Sequence, residues 1–484
     1  MVSESNLLHL PAAFLATAVT AVLVWFGTGL HPLWPLLWVA PLPVLLVAFR
    51  SSAWRTTAVA FAAWFIGTLN LWHYVRVVMK DPLPTVLFIL AGMALVFTLA
   101  VLLFRALVRR GAYWTGLLAF PAVWVSFEYL LSITSPSGTS DNLAYTQLKF
   151  LPFLQLASLT GPWGMSFLLL LFPAAVTLGL HLRREAPRRA RAVVSVTFGV
   201  LALALLFGAI RLALPVRAGT VRVGLVATDH IMANTREAAQ ALPRLQAFAA
   251  QVHALAARGA QVVVIQEKSV GVVDSYQQQA YSILAHAAAA NHVTLVAGLN
   301  LIQDSDRKRN AALVFSPSGT LLRRYTKHHL IPGMEAHYVV GRHIAVWPGP
   351  SSLWGVAICK DMDFPALSRR YGRAGVGLML VPAWDFVVDA GFHGHMALMR
   401  GVESGFSVAR SAADGYLTVS DTRGRILAQV RSNSAPFATL VANVPTAHVA
   451  TLYLLLGNWF AWLVLALLLF SLAQLARFRK KPLA

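Results

Sequence analysis

Eight apolar stretches, residues 12–27, 33–49, 57–75, 83–104, 113–131, 160–180, 192–214 and 451–475, decide what this chain can become. A helix of roughly 20 apolar residues crosses the hydrocarbon layer of a bilayer, and the only open-ended element that can do so keeps all its backbone hydrogen bonds to itself. The 484 residues are 57% hydrophobic and only 12% charged, far from the balance of a water-soluble chain. The sequence therefore predicts a polytopic α-helical membrane protein with eight transmembrane helices. The second run is short and is interrupted by Pro35, Pro41 and Pro43. The first has neither the basic start nor the small-residue cleavage site of a secretory signal, because no Lys or Arg precedes Arg50, and is expected to be a retained anchor.

Charge fixes the orientation. With the N-terminus inside, the inner connections hold Arg50 and Arg55, then Arg105, Arg109 and Arg110, then Arg183, Arg184, Arg188, Arg189 and Arg191, and finally the tail Arg477, Arg479, Lys480 and Lys481. The short outer connections hold only Arg76, Lys80 and Lys149. Positive charge stays on the cytoplasmic side, so the long segment before the last helix is expected outside. For a bacterium this means a multi-pass protein of the cytoplasmic (inner) membrane whose large domain faces the periplasm.

The net charge of +21 suggests nucleic acid at first sight, but fourteen of the basic residues are those of the inner loops and tail. Topology explains them, and no nucleic-acid partner is expected. Residues 215–450 still carry 22 Lys or Arg against 14 Asp or Glu, a surplus of +8. That surplus fits either an anionic membrane surface or a merely solvated basic face. Cys359 is the single cysteine, so an internal disulfide is excluded and the outer domain must rest on its core.

The chain thus divides into residues 1–214 with seven helices, 215–450 as an inserted α/β domain, and 451–484 with the eighth helix and a basic tail. Within 215–450 the apolar runs shorten to strand length: "VRVGLVAT" (221–228), "AQVVVIQE" (260–267), "VTLVAGLN" (293–300), "NAALVFSP" (310–317), "WGVAICKD" (354–361) and "VGLMLVPAW" (376–384). Between the first two, "TREAAQALPRLQAFAAQVHALAARGA" reads as an amphipathic helix closed by Gly259, and "YQQQAYSILAHAAAANH" repeats the pattern before the third. Strands alternating with helices imply layered α/β packing, and "SPSG" (316–319) marks a hairpin. One outer connection, residues 132–164, is much longer than the rest and reads as either a lid or packing under the outer domain.

Three predicted strands end in a reactive group: Glu267 after "VVVIQ", Lys327 after "LLRRYT" and Cys359 after "VAI". Singly, each is weak, since a lone strand-end cysteine is most often an inert core residue. Strand ends of α/β sheets share a crevice, however, and thiol, carboxylate and ammonium together are what acyl transfer needs. The thiol attacks, the carboxylate takes its proton, and the ammonium stabilises the oxyanion. Lys327 is also expected to lower the thiol's pKa.

The segments "VVVIQE", "NAALVFSPSGTLLRRYTKHHLIPGMEA" and "GVAICKDMDFP" resemble the three catalytic segments of the nitrilase, or carbon-nitrogen hydrolase, superfamily. That resemblance implies a Glu-Lys-Cys triad of Glu267, Lys327 and Cys359 on a nitrilase-like αββα sandwich. Eight membrane helices with such a domain inserted before the last are similar to one branch, the apolipoprotein N-acyltransferases. "KHHLIPGMEA" is similar to that family's K-x-H-L-V-P-F-G-E, which makes Glu335 a second supporting carboxylate. "NLAYTQ" and "LQLASLTGPWGMSFLL" are similar to its long periplasmic loop. "HMALMRGVESGFSVAR" is matched to its H-x-x-x-A-x-x-R-x-x-E through His395, Arg400 and Glu403. The resemblance implies a phospholipid acyl donor, a cysteine thioester, and an acceptor amine on the lipidated N-terminal cysteine of an apolipoprotein, with no cofactor.

The departures from that pattern surround the triad. Lys360 and Asp361 replace Tyr-Glu after the nucleophile, Asp361 keeping a supporting carboxylate on a shorter stem. Gln266 replaces a proline before the base, and Lys268, directly after it, is placed to pair with Glu267 and lower its basicity. "ATDHIMAN" and "VPAWDF" replace the family's Q-x-N and S-N-D-A-W-F, and substrate-binding residues are left unassigned. These changes keep open a divergent membrane amidase or transacylase and, further off, an inactive scaffold. His328 and His329 lack zinc-type spacing, so no metal is assigned. Glu128, near the outer end of the fifth run, is expected to bond the loop above it rather than carry protons.

Overall fold

The computed structural model describes residues 9–216, 219–303 and 305–480, and Lys481 of the basic tail lies outside them. The chain forms two units: Met1–Thr134 with Asp141–Arg211 and Asn458–Ala484, and Leu212–Gly457 with Ser135–Ser140.

In the first unit six helices among the described residues are long and apolar enough to cross a bilayer. They are His9–Gly27, Leu83–Val108, Tyr113–Thr134, Pro162–Leu182, Pro187–Ala213 and Trp459–Lys480. The other two expected crossings take a different form. The run at 33–49 is split into Trp34–Val39 and Leu42–Ala48. Pro41 and Pro43, which lack the N–H that would continue the first helix, sit at that break. The run at 57–75 is a 16-residue helix, Ala53–Thr68, followed by a tight 3-10 turn, Leu69–Leu71, and a wider π-helical turn, Tyr74–Val78. Large apolar side chains such as Phe14, Phe88, Leu203 and Leu469 point outward, as on a surface solvated by hydrocarbon. Glu128 behaves as expected, accepting hydrogen bonds from Trp124 Nε1 (2.8 Å), the Leu143 amide (2.7 Å) and Asn142 Nδ2 (2.9 Å).

The second unit is an αββα sandwich. In chain order its strands are β1 (Thr220–Ala227), β2 (Val262–Ile265), β3 (Gly271–Val273), β4 (Thr294–Ile302), β5 (Lys308–Phe315), β6 (Leu321–Thr326), β7 (Ala345–Pro348), β8 (Leu353–Val356), β9 (Val376–Trp384), β10 (Ser407–Ala413), β11 (Tyr416–Ser420), β12 (Ile426–Arg431) and β13 (Ala438–Pro445). One sheet runs β13-β1-β2-β4-β5-β6 with β3 beside β4, and the other runs β12-β11-β10-β9-β8-β7. Parallel pairing is central in both, β1-β2-β4 and β8-β9-β10, where the strands are buried on both faces and read as continuous apolar runs.

Four helices cover the sandwich: α1 (Ala238–Ala257), α2 (Gln277–Ala290), α3 (Pro365–Arg373) and α4 (Phe392–Ser404). Ala241, Leu245, Phe248, Val252 and Leu255 of α1, spaced three and four apart, pack on the first sheet, and α1 ends where Gly259 takes φ +86°. Leu367 and Tyr371 of α3 and Ala397 of α4 cover the second sheet. Between the sheets Val223, Leu225 and Val264 meet Val356, Ile358, Leu378, Leu380 and Ala409. The strands ending in Ile265, Thr326 and Val356 deliver the three reactive residues.

Candidate active site

Glu267 is set by a turn held from both sheets. Beyond β2, the Gln266 side chain pairs like a strand with Thr228, donating to its carbonyl at 2.8 Å and accepting its amide. The residue that replaces proline therefore prolongs the β1–β2 ladder by one rung. The Glu267 amide then donates to the carbonyl of Ala383 in β9 at 3.2 Å, joining the two sheets. Lys268 turns away in the left-handed region at φ +45°. Gly298 of β4 makes room for this turn: a Cβ there would lie 2.3 Å from the Gln266 carbonyl oxygen and 2.8 Å from Glu267 Cα.

Lys327 follows β6, and its amide donates to the Asn310 carbonyl at 2.9 Å. Its ammonium, fully buried, lies 2.8 Å from Glu267 Oε1 and 3.1 Å from Glu335 Oε2. Asn310 Nδ2 bonds both carboxylates, reaching Glu335 Oε1 at 2.8 Å. Glu335 also accepts the Ile331 amide at 2.9 Å, so its loop is fastened to the lysine it faces. Lys268 pairs with Glu335 Oε1 at 2.7 Å rather than with Glu267, contrary to expectation.

Cys359 is not the last residue of its strand. β8 stops at Val356, and Cys359 opens a short 3-10 turn, Cys359–Asp363, with φ +44°. A non-glycine residue held there stores about 1–3 kcal/mol of strain and must be fixed by its surroundings. Asp361 is the fixing group. Its Oδ1 accepts the amides of His328 (3.0 Å) and His329 (2.8 Å), while Oδ2 accepts the Tyr325 hydroxyl (2.7 Å) and the Ile358 amide (3.1 Å). The lysine segment and the cysteine turn are thereby tied through one carboxylate. The Cys359 thiol donates to the Trp384 carbonyl at 3.5 Å.

Lys327 acts on the thiol in the expected direction, favouring the thiolate, but burial outweighs it. Burial, and then the charge of Glu267, push the Cys359 thiol up, and the opposing Lys327 and Arg410 do not compensate. For Lys327, burial disfavours the charge, but Glu267 and Glu335 outweigh it and hold its pKa above the usual lysine value. Burial likewise opposes the Glu335 carboxylate, which Lys327 and Lys268 nonetheless hold down at about 2.

All five predicted residues thus lie in one buried cluster around the turn. His328 stacks on Tyr325, and His329 stacks on Phe364 with its Nδ1 3.2 Å from Asp361 Oδ1. Arg400 and Glu403 pair with each other at 2.7 Å, fully buried on α4. Arg400 also donates to Thr139 Oγ1 at 3.2 Å, and Thr139 bonds the Asp363 carbonyl through its hydroxyl (2.7 Å) and amide (3.2 Å). Residues Ser135–Ser140 of the long connection therefore brace the cysteine turn.

The histidine assignment needs correction, because the H-x-x-x-A-x-x-R spacing ending at Arg400 starts at His393, not His395. His393 lies 3.3 Å from both Asp363 Oδ1 and Asp389 Oδ2. Three further groups escaped sequence reasoning: Asn310, Asp385 and Arg410. Arg410 is a two-pronged partner of Asp385, 2.8 Å on one side, directly after the residue whose carbonyl receives the thiol. Their signal was buried charge in apolar strands, "VPAWD" and "SVARSAA". A cavity of about 700 Å³ opens on this cluster, lined in part by Glu267, Lys268, Ile331, Met334, Tyr338 and Trp384.

Residues 20–175 match the family model "Apolipoprotein N-acyltransferase N-terminal domain", and residues 222–450 match "Carbon-nitrogen hydrolase". The chain is 27% identical to an apolipoprotein N-acyltransferase of Geobacter metallireducens over 94% of its own length and 93% of the relative's. It is 25% identical to one of Haemophilus ducreyi, covering 87% and 90% of the two chains. Among solved structures, a Nesterenkonia amidase is 21% identical, with a TM-score of 0.42 over 48% of this chain and 93% of that one.

Proposed function

The chain belongs to the apolipoprotein N-acyltransferase family, and from that premise we propose that it acylates the N-terminal amine of lipoproteins through a thioester on Cys359. The observation that carries the mechanism is Lys327 buried between Glu267 and Glu335, beside a thiol on a strained turn.

In the first half-reaction Cys359 Sγ attacks the ester carbonyl carbon of a phospholipid while Glu267 takes the thiol proton. The oxyanion of the tetrahedral intermediate is stabilised by the Lys327 ammonium. As the carbon–oxygen bond breaks, Glu267 returns the proton to the leaving alkoxide and a lysophospholipid departs. In the second, the acceptor amine attacks the thioester, Glu267 takes its proton, and as the carbon–sulfur bond breaks Glu267 passes that proton to the leaving sulfur, regenerating the thiol. This is ping-pong transfer.

Both substrates are lipids, which gives a reason for a catalytic unit tethered at both ends to apolar helices. The basic connections support eight crossings, with Trp34–Ala48 and Ala53–Thr68 supplying the two shorter ones, and a catalytic domain on the outer face of the bacterial inner membrane.

The test uses purified full-length protein in detergent with a phospholipid labelled in its acyl chain. Wild type is expected to accumulate a hydroxylamine-sensitive thioester, which Cys359→Ala lacks and which a diacylated lipopeptide discharges into a triacylated product. No thioester in wild type overturns the mechanism. A thioester discharged only to water favours the divergent amidase reading.

A further inference from the structure

Lys268 is the residue in which this site differs most from a three-residue triad. It directly follows the base, sits in the left-handed region, and is buried against the wall of the cavity. Its ammonium lies 2.7 Å from Glu335 Oε1, 5.2 Å from the centre of the Tyr338 ring and 5.3 Å from that of Trp384. The aromatic faces add cation–π attraction and confine the side chain to one direction. The other oxygen of Glu335 faces Lys327, which faces Glu267. Charges therefore alternate along one line: Lys268, Glu335, Lys327, Glu267.

The formal charge of that line is zero, and without Lys268 it is −1. The difference acts on the reaction. Forming the tetrahedral intermediate adds an oxyanion beside Lys327, in a buried place where charge is poorly screened. A cluster already carrying excess negative charge would resist it. Lys268 also occupies the oxygen of Glu335 that Lys327 does not hold, so Glu335 makes a smaller claim on Lys327. We propose that Lys268 is a positioning residue that neutralises Glu335 from the cavity side and so leaves Lys327 available to Glu267 and to the developing oxyanion. It acts through Glu335 and touches no reacting atom.

The charged and titratable groups around Glu267 are Lys327 after β6, Lys268 on its own turn, Glu335 and Tyr338 on the following loop, Cys359 after β8, and the Asp385–Arg410 pair from β9 and β10. Removing one cation from this set makes proton release from the base harder. The pH profile is therefore the readout that separates a charge role from a packing role.

Thioester formation from labelled phospholipid is measured between pH 5 and 9 for full-length wild type, Lys268→Gln and Lys268→Arg, with thermal melting as the folding control. Gln keeps a donor for Glu335 without the charge, and Arg keeps the charge. Lys268→Gln is expected to slow thioester formation at neutral pH roughly tenfold and to move the acid limb of the profile up by about one unit, the lower end of what one nearby opposite charge does. Lys268→Arg is expected to restore the wild-type limb. A Lys268→Gln profile lowered uniformly with the limb in place, or an unchanged profile, overturns the proposal. The inference rests on the triad reading above, but the two fail differently. No thioester in wild type overturns that reading, whereas a normal wild type beside an unshifted Lys268→Gln overturns only the role of Lys268.

Discussion

Lys327 Nζ lies 2.8 Å from Glu267 Oε1, and neither side chain is open to solvent beyond 2%. A buried ammonium in this setting is matched by two carboxylates, with Glu335 at 3.1 Å on the other side. Taking away one partner strands the others.

Lys327→Met is therefore expected to fail twice. Loss of the oxyanion donor should slow thioester formation by about 10²–10³-fold or more. The unpaired carboxylates should cost about 3–5 kcal/mol of stability. Lys327→Arg should not rescue, because a planar fork cannot occupy the place of a compact ammonium shared at these distances. The rate of acyl capture and the melting temperature in detergent check both parts.

Asp361 offers a different test, because it accepts three backbone amides and the Tyr325 hydroxyl from two segments and needs both oxygens to do so. Asp361→Asn presents an NH₂ to donors that already point inward. Leaving a buried donor unmatched costs about 1–3 kcal/mol. The strained turn at Cys359 loses its fastening, and acyl capture should fall by about 10²-fold, comparable to the effect of a misplaced reacting group. An Asn variant as fast as wild type would show that the turn holds itself.

The sequence made the clustering of Glu267, Lys327 and Cys359 and the sandwich legible because strand endings leave a local mark. "VVVIQE", "LLRRYTK" and "GVAIC" each show an apolar run stopping at a charge or a thiol, and Asp361 lies two residues beyond one of those ends. The pairings across sheets left no such mark. Asn310 sits inside β5, Arg410 inside β10, and their partners Glu267 and Asp385 arrive from strands remote in the chain. The partner of Lys268 was misjudged for the same reason. Proximity in sequence suggested Glu267, but at φ +45° the chain turns Lys268 toward a residue 67 positions away. In the helical unit composition marked the apolar runs, but the break at Pro41 and the shortness of Ala53–Thr68 depend on local backbone geometry that hydropathy does not register.

Gly298 ties the fold to the site through the absence of a side chain. The atoms a Cβ would meet, the Gln266 carbonyl oxygen at 2.3 Å and Glu267 Cα at 2.8 Å, are backbone and cannot swing aside. Gly298→Ala should push the base turn away from Lys327 and destabilise the sandwich by about 1–3 kcal/mol, as overpacking does. Acyl capture should fall even in preparations whose melting temperature drops only a few degrees. A Gly298→Ala protein with wild-type capture would mean that the turn moves as one body with its partners.

His393 gives the pH prediction, and its sign follows from the two aspartates that hold it. Burial works against the imidazolium, but Asp363 and Asp389 outweigh it and raise its pKa from 6.5 to about 10. Below pH 6.5 both the folded and unfolded chains carry this proton, and the ion pairs stabilise the fold in full. Between 6.5 and about 10 only the folded chain keeps it, so stability falls as pH rises through this window and the contribution is gone above it. One proton accounts for at most about 1.4 kcal/mol per pH unit. Thermal or denaturant unfolding of the full-length protein should show this decline, and His393→Gln should be less stable at pH 6 but decline less steeply. Parallel slopes for the two proteins would mean that another group titrates. Because Asp363 ends the cysteine turn and Asp389 follows the Trp384–Phe386 wall of the cavity, acyl capture by His393→Gln should be slower even at pH 6, where the His393 ion pairs contribute in full to the wild type.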